Sequence, residues 1–403
     1  MPVSSCSLCA SSELELVIDL GFHPLADTFI KKEELMQPEV RYPLQVLLCK
    51  SCGHAMSSYV VPATKRYQEH DYSYDSGNSK VSVEHFGEMA QEAIQKVGVG
   101  AGDLVVDIGG NVGTLLDAFR AQAGTHILNI EPAGNIADIA EKNGVETVRN
   151  FFGGEVAHTI AKRGGAKVIA MTNAFNHIAY LDDFMQGIVQ ALRPDGAFLI
   201  EVPYLLHLVE KLAFDTVYLE HVSYFALRPL RTYFKKFGLV ISDVIENDYM
   251  GGSMRLYVRK SGPGFAGLAD MVAREEAAQL FDPLMYRGFM QKVLAFKFSL
   301  LKELLEAKAE GGRIVGIGAA TKGNTLLNYC GIDATLLEFV TDASVLKIGK
   351  YTPGSHLEIK PDEAITAGIT HALILPWNIG DFLRGKLTPK YPSLVFITPH
   401  MGE

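Results

Sequence analysis

Tyr218, Glu220 and His221 stand almost side by side in the stretch VYLEHVSYF (217–225), between apolar neighbours. An imidazole has an ordinary pKa of about 6.5, so its neutral form is abundant at pH 7 and can take a proton. A carboxylate beside it can orient the ring and stabilise the imidazolium, and a phenol can hydrogen-bond a growing negative charge. The period of the stretch is ambiguous. On a helix Tyr218 and His221 share a face; on a strand Tyr218 and Glu220 share one and His221 points away. For all three to reach one ligand, the chain has to bend there. The alternative is a hydrogen-bonded piece of core.

A second constellation is made of cysteines. Four of the five form two C-x2-C pairs, CSLC (Cys6, Cys9) and CKSCGH (Cys49, Cys52). Two residues between cysteines let both thiolates reach one ion from a tight knuckle, and two knuckles complete a tetrahedral four-sulfur zinc site. All four positions are then filled, so the zinc is expected to be structural. Its removal is expected to unfold the N-terminal module, the metal having no direct chemical role. His54 reads as a surface residue of the knuckle rather than a substitute ligand, and Cys330, apolar-flanked, as a buried core thiol.

Two glycine loops follow apolar runs. DLVVDIGGNVGTLLDAF carries Asp107-x-Gly109-x-x-x-Gly113, where glycines let the backbone turn tightly after a strand and a ligand approach the main chain. A three-glycine dinucleotide fingerprint is spaced differently. The pattern resembles the first motif of class I S-adenosylmethionine-dependent methyltransferases. That resemblance implies an acidic residue at the end of the next strand for the ribose hydroxyls, and Glu131 in HILNIEP stands there. It also places RNFF, with Asn150 and Phe151, near the adenine. Near the C-terminus, GIGAATKGNTLLN offers Gly316, Gly318 and Gly323 as room for a diphosphate at a helix N-terminus, with Lys322 adding charge and Asn324 a donor. The alternatives are glycine loops kept for structure alone. TDASVLKIGKYTPG adds Asp342 and Lys347 as polar candidates, and MGGSMR reads as a glycine turn ending in a surface charge, Arg255.

The elements that must position these groups are of the α/β class. The 403 residues suffice for several domains. Residues 1–72 hold the zinc-binding module. Residues 73–262 alternate apolar runs with helical patterns, as in βαβ units around a parallel sheet: a Rossmann-like domain. Residues 263–403 open with charged, alanine-rich helices, ended by Gly311 and Gly312, and close as a smaller α/β domain. Composition is that of a globular protein, 48% hydrophobic and 21% charged. A net charge of −9, with no long Lys/Arg run, argues against a nucleic-acid partner. The absence of any apolar run of about 18 residues argues against a membrane one. The N-terminus MPVSSCSLCA lacks the basic and apolar regions of a signal peptide, so a cytoplasmic location is expected.

Taken in order, the knuckles, PLADTF, the methyltransferase loop, FDTVYLEHVSYF, NDYMGGSMRLYV, GIGAATKGNTLLNYCGID and SHLEIKPDEAITAGITHALILPWN span essentially the whole chain. This ordered set resembles the zinc-containing sugar C-methyltransferases of deoxysugar biosynthesis. The resemblance implies a nucleotide-linked 4-keto-deoxysugar as substrate, a deoxythymidine diphosphate sugar foremost, methylated at C-3' or in some members at C-5'. Such chemistry needs a carbanion equivalent: deprotonation beside the ketone gives an enolate, which takes the sulfonium methyl of S-adenosylmethionine. The resemblance assigns His221 as base, with Tyr218, Glu220, Tyr72 and His177 as the rest of the pocket. Lys322, Asn324, Arg255, Asp342 and Lys347 would serve the sugar nucleotide. Leu219 and Val222 depart from the histidine and phenylalanine of the family pattern, which bears on the shape of the sugar pocket. Competing readings are a zinc-ribbon RNA methyltransferase, which would need a basic groove, and a non-enzymatic sugar-nucleotide binding protein, which leaves Glu131 and its glycine loop unexplained.

Overall fold

The computed structural model describes residues 1–399, in which three sheets carry the architecture. The first is antiparallel: β1 (Leu14–His23), β2 (Tyr42–Cys49) and β3 (Ala55–Ser57) are joined at the edge by β9 (Ser223–Tyr224). The second contains β4 (Leu104–Ile108), β5 (His126–Ile130), β6 (Thr147–Val148), β7 (Ala166–Thr172), β8 (Leu192–Pro203), β10 (Val240–Asn247) and β11 (Ser253–Arg259). Its strand order is β10-β11-β8-β7-β4-β5-β6; β11 runs antiparallel to both neighbours and the other pairings are parallel. The third is wholly parallel, in the order β14-β13-β12-β15-β16, from β12 (Ile314–Ile317), β13 (Val340–Thr341), β14 (Ile359–Lys360), β15 (His371–Ile374) and β16 (Val395–Ile397).

The central strands read as continuous apolar runs because helices cover both sheet faces. Val105, Val106, Val168, Ile169, Phe198 and Ile200 are fully buried. The chain reverses from strand to strand through helices such as Thr114–Ala123 and Leu181–Ala191. The long helix Pro283–Ala309 starts where the Asp282 side chain accepts from Leu284 N and proline takes the first helical turn. It ends before Gly311, whose φ of +84° suits glycine.

The strand β9 belongs by position to the middle segment but by hydrogen bonding to the first sheet, through Ala55–Tyr224 and Met56–Ser223. Two neighbouring residues tie the same regions further. Ser57 Oγ donates to His221 O (2.8 Å) and Ser57 N to Val222 O (3.1 Å). The PLADTF segment is a second bridge. Asp27 N donates to Glu220 Oε1 (2.9 Å), while Asp27 Oδ1 accepts from Ser73 Oγ and Thr321 Oγ1 (2.8 Å each). One buried residue thus touches parts of all three sequence segments. His54, expected at the surface, is fully buried and stacks on Phe225 with ring centroids 5.5 Å apart. Cys330 is buried as expected. No described helix is long and apolar enough to cross a membrane.

Candidate active site

A cavity of about 1010 Å³ opens where the three regions meet. Its walls include Tyr72, His177, Tyr218, Glu220 and His221, the glycine loop with Asp107, Gly109 and Glu131, the Asn150–Phe151 segment, and Lys322, Asp342 and Lys347. Gly113, Asn324 and Arg255 do not line it.

The bend that the sequence demanded is a tight turn: His221 N donates to Tyr218 O (2.9 Å), and the chain then enters β9. The turn brings the Tyr218 and His221 rings to 3.7 Å between centroids, their planes tilted by 35°, and His177 lies 5.1 Å from His221. His221 Nδ1 is 2.8 Å from Thr216 O. A carbonyl only accepts, so Nδ1 carries the hydrogen and Nε2 is left as the acceptor. No described residue bonds to Nε2. Burial pushes His221 down to about 3, against the pull of the Thr216 carbonyl, so the ring is neutral at neutral pH.

Glu220 was expected to orient His221. The structure corrects this: Thr216 O takes that contact, while Glu220 Oε1 accepts from Asp27 N and Oε2 is buried without a partner. Burial raises Glu220 to about 7. Burial also raises Tyr72 and Tyr218 well above the ordinary phenol range, so both remain donors. The backbone of Tyr72 is fixed by the Asn135 amide, which accepts from its N–H (3.1 Å) and donates to its carbonyl (2.9 Å).

Two residues that the sequence reading missed hold this wall. Arg66, buried, donates to the carbonyls of Val61, Glu220 and His177 at 3.0–3.1 Å, and also to Tyr67 Oη (3.3 Å). Tyr67 Oη lies 2.7 Å from His177 Nδ1. With Arg66 donating to it, Tyr67 can in turn donate to Nδ1, which leaves His177 Nε2–H as a donor; Nε2 is buried and unpartnered. Nothing in the local pattern of the short helix Ala63–Tyr67 separates an inward arginine from a solvated one.

The cofactor loop is built for close approach. Gly109 and Gly113 have φ of +69° and +88°. A Cβ on Gly113 would stand 2.7 Å from Val145 Cγ2, so its role is to pack the loop rather than to touch a ligand. Glu131 Oε1 accepts from Ala133 N (2.8 Å) and Oε2 from Asn111 N (3.2 Å), which aims the carboxylate and leaves further lone pairs. Asp107 Oδ1 is buried without a partner. Burial raises both carboxyls to about 7, with the Glu131 charge adding to the rise at Asp107.

On the C-terminal side, Lys322 Nζ is buried, unpartnered, and 4.3 Å over the Trp377 ring. Burial lowers it to about 8, with the Asp215 charge opposing. Lys347 Nζ donates to Ala319 O (2.8 Å), and Asp342 Oδ1 accepts from Ser344 N (2.8 Å). Asn324 turns away and donates to Ala26 O (2.7 Å), joining the helix Thr321–Cys330 to the PLADTF segment. Arg255 is neither a surface charge nor a pocket group. It is buried and pairs with Glu201 (2.8 Å) and Glu92 (3.0 Å), because its position on β11 faces these carboxylates.

The four cysteines meet as expected. Their sulfurs lie within 4.8 Å of one another, with Cys6–Cys52 and Cys9–Cys49 at 3.6 Å. A tetrahedral zinc with bonds of about 2.3 Å needs sulfurs about 3.8 Å apart, so the donor set fits the ion.

Comparison with known proteins agrees with this anatomy. Residues 6–67 match a zinc binding domain model, 86–244 a methyltransferase domain, and 248–391 the C-methyltransferase C-terminal domain. The chain is 32% identical to the C-methyltransferase NovU of Streptomyces niveus over 382 residues, covering 94% of this chain and 90% of that protein. The chain belongs to this C-methyltransferase family. As a C-methyltransferase it uses S-adenosylmethionine, and Glu131, Asp107 and the Gly109 loop are the groups that fit it. Among solved structures, the cyclopropane synthase MmaA2 of Mycobacterium tuberculosis aligns with 40% of this chain and 62% of that one, at 16% identity and a TM-score of 0.33. Magnesium protoporphyrin IX methyltransferase ChlM of Synechocystis PCC 6803 aligns with 45% and 82%, at 12% identity and 0.33.

Proposed function

We propose that this C-methyltransferase acts at C-3' of a nucleotide-linked 4-keto-deoxysugar, with His221 as the base that forms the enolate. The observation that carries the reading is the neutral His221 ring, its Nδ1–H held by Thr216 O and its Nε2 open to a cavity shared by the cofactor loop and the C-terminal loop. Nε2 takes the proton from the carbon beside the ketone, and the C–H electron pair moves into the enolate. The Tyr218 and Tyr72 hydroxyls and the His177 Nε2–H are the donors available to the enolate oxygen. S-adenosylmethionine, when bound, supplies the electrophilic methyl group that the nucleophilic carbon consumes. Lys322, whose ammonium has no hydrogen-bond partner among the described residues, and Lys347 serve the diphosphate. An anionic diphosphate in the cavity favours the imidazolium, so binding raises the proton affinity that burial has lowered. The choice of C-3' and of deoxythymidine diphosphate follows the family pattern.

The test is deuterium wash-in beside the ketone of a deoxythymidine diphosphate 4-keto-6-deoxysugar, with S-adenosylhomocysteine in place of the methyl donor. Wild type should exchange, and His221→Asn should lose about 10²–10⁴ of the rate. Glu220→Gln should still exchange. Loss in Glu220→Gln with exchange retained in His221→Asn would transfer the base role to the carboxylate. No exchange in wild type would remove the keto-sugar reading.

A further inference from the structure

We propose that His85 accepts a hydrogen bond from the α-ammonium group of the bound cofactor, and that Glu201 holds it in the accepting tautomer. His85 lies in the first turns of the helix Lys80–Val97, and its ring lines the cavity. Nε2 is 2.5 Å from Glu201 Oε1. An ionised carboxylate only accepts, so Nε2 carries a hydrogen, and a ring with that one hydrogen presents Nδ1 as an acceptor; Arg255 Nη2 stands 3.3 Å from the same Nε2. Glu201 is completely buried, and its other oxygen accepts from Asn247 Nδ2 (2.9 Å) and Arg255 Nε (2.8 Å). Burial alone would raise this carboxyl, but the His85 hydrogen bond and the Arg255 charge outweigh it and hold it below the ordinary range. The ring face is clamped on Tyr249, with centroids 3.8 Å apart and planes within 8°. The imidazole is therefore fixed in plane with Nε2 on Glu201, while no described residue bonds to Nδ1.

Its place in the cavity selects the ligand atom. Glu201 lies near the end of β8 and accepts through its carbonyl from Asn173 N (2.7 Å), next to Ala174, which a Cβ added at Gly109 would meet at 3.0 Å. The segment leading into the His85 helix lies on the same loop, since Ser76 N donates to Asn111 Oδ1 (2.9 Å) and Ser76 Oγ meets Thr114 Oγ1 (2.9 Å). Glu131 and Phe151 mark the adenosine end of the cradle, so this is the end for the amino-acid portion. That portion carries an ammonium donor and a carboxylate, and an acceptor nitrogen suits only the first. The inference concerns the cofactor and not the sugar, so it stands apart from the keto-sugar reading.

Two substitutions separate this role from a structural one. His85→Gln keeps a donor for Glu201 but loses the acceptor at the Nδ1 position; His85→Asn keeps an acceptor near Nδ1 and gives up Glu201. The full-length, zinc-loaded protein is titrated calorimetrically with S-adenosylhomocysteine at pH 8. His85→Gln should weaken binding about tenfold or more, the loss of one charge-assisted hydrogen bond, and His85→Asn by no more than about threefold. An analogue without the α-amino group should bind wild type and His85→Gln alike. Wild-type affinity in His85→Gln, an equal loss in both variants, or an analogue that separates wild type from His85→Gln as strongly as the parent compound would each overturn the assignment.

Discussion

At the scale of single residues, the cradle proposed for the cofactor contains two buried carboxyls. Asp107 and Glu131 are each raised to about 7 because burial disfavours their charge. A raised acid is ionised above that value and neutral below it, and the ribose hydroxyls need acceptors. Affinity for S-adenosylhomocysteine should therefore be near its maximum at pH 8 and fall about tenfold by pH 6, one proton being taken up against binding. Glu131→Gln should bind weakly at pH 8 and lose most of the slope, so that the two proteins converge at pH 6. Part of the rise at Asp107 comes from the Glu131 charge, so the substitution also lowers Asp107 and flattens the profile further. Titration calorimetry across this range decides; a flat wild-type profile between pH 6 and 8 would refute the role given to these groups.

At the scale of elements, the glycine loop makes the sharpest demand on its sequence. Gly113 has φ of +88° and faces Val145 at 2.7 Å from an added Cβ, so Gly113→Ala meets both backbone strain and a clash. The expected cost is about 1–3 kcal/mol, read as a lower denaturation midpoint, together with weaker S-adenosylhomocysteine binding. Val145→Ala in the same chain should recover the part due to the clash and leave the part due to φ. No recovery would mean that the loop shifts as a whole. Such loops were legible because they are local: spacing places Gly109 and Gly113 on one strand–turn–helix unit, and the family resemblance adds Glu131 at the end of the neighbouring strand. The knuckles were legible for the same reason. The active-site wall was legible in its residue types and not in its contacts. His221 announces a proton acceptor, but Thr216 O, which orients it, is a backbone atom that no pattern marks. Arg66, Tyr67 and Asp27 act through partners more than 100 residues away for the first two and 193 for the third, and Arg255 is buried against carboxylates on another strand and helix. Long-range pairing of this kind leaves no periodic trace.

At the scale of the molecule, the zinc module is a wall of the active site, and this changes what removing the metal should do. Sequence reasoning expected a structural ion with no direct chemical role, whose removal unfolds the N-terminal module. In the fold, β9 is hydrogen-bonded to β3, the His221 carbonyl is held by Ser57 Oγ, and Glu220 is held by Asp27 N. Cys49 ends β2 and Cys52 precedes β3, so the ion closes the very hairpin on which β9 rests. The cofactor cradle, in contrast, draws on β4 and β5, which pair with each other in a different sheet. Chelation should therefore separate two functions. On the proposed reading, with His221 as base, deuterium exchange on the keto-sugar and methyl transfer should fall about a hundredfold or more, since a base displaced by about 1 Å loses that much. The dissociation constant for S-adenosylhomocysteine should stay within about threefold of the zinc-loaded value. Restoring zinc should restore turnover, because the loss lies in the folding of the module rather than in a metal-bound reactant. Equal loss of cofactor binding would mean that the chain unfolds as one unit; full turnover in the chelated protein would mean that the Ser57 and Asp27 contacts do not hold the base.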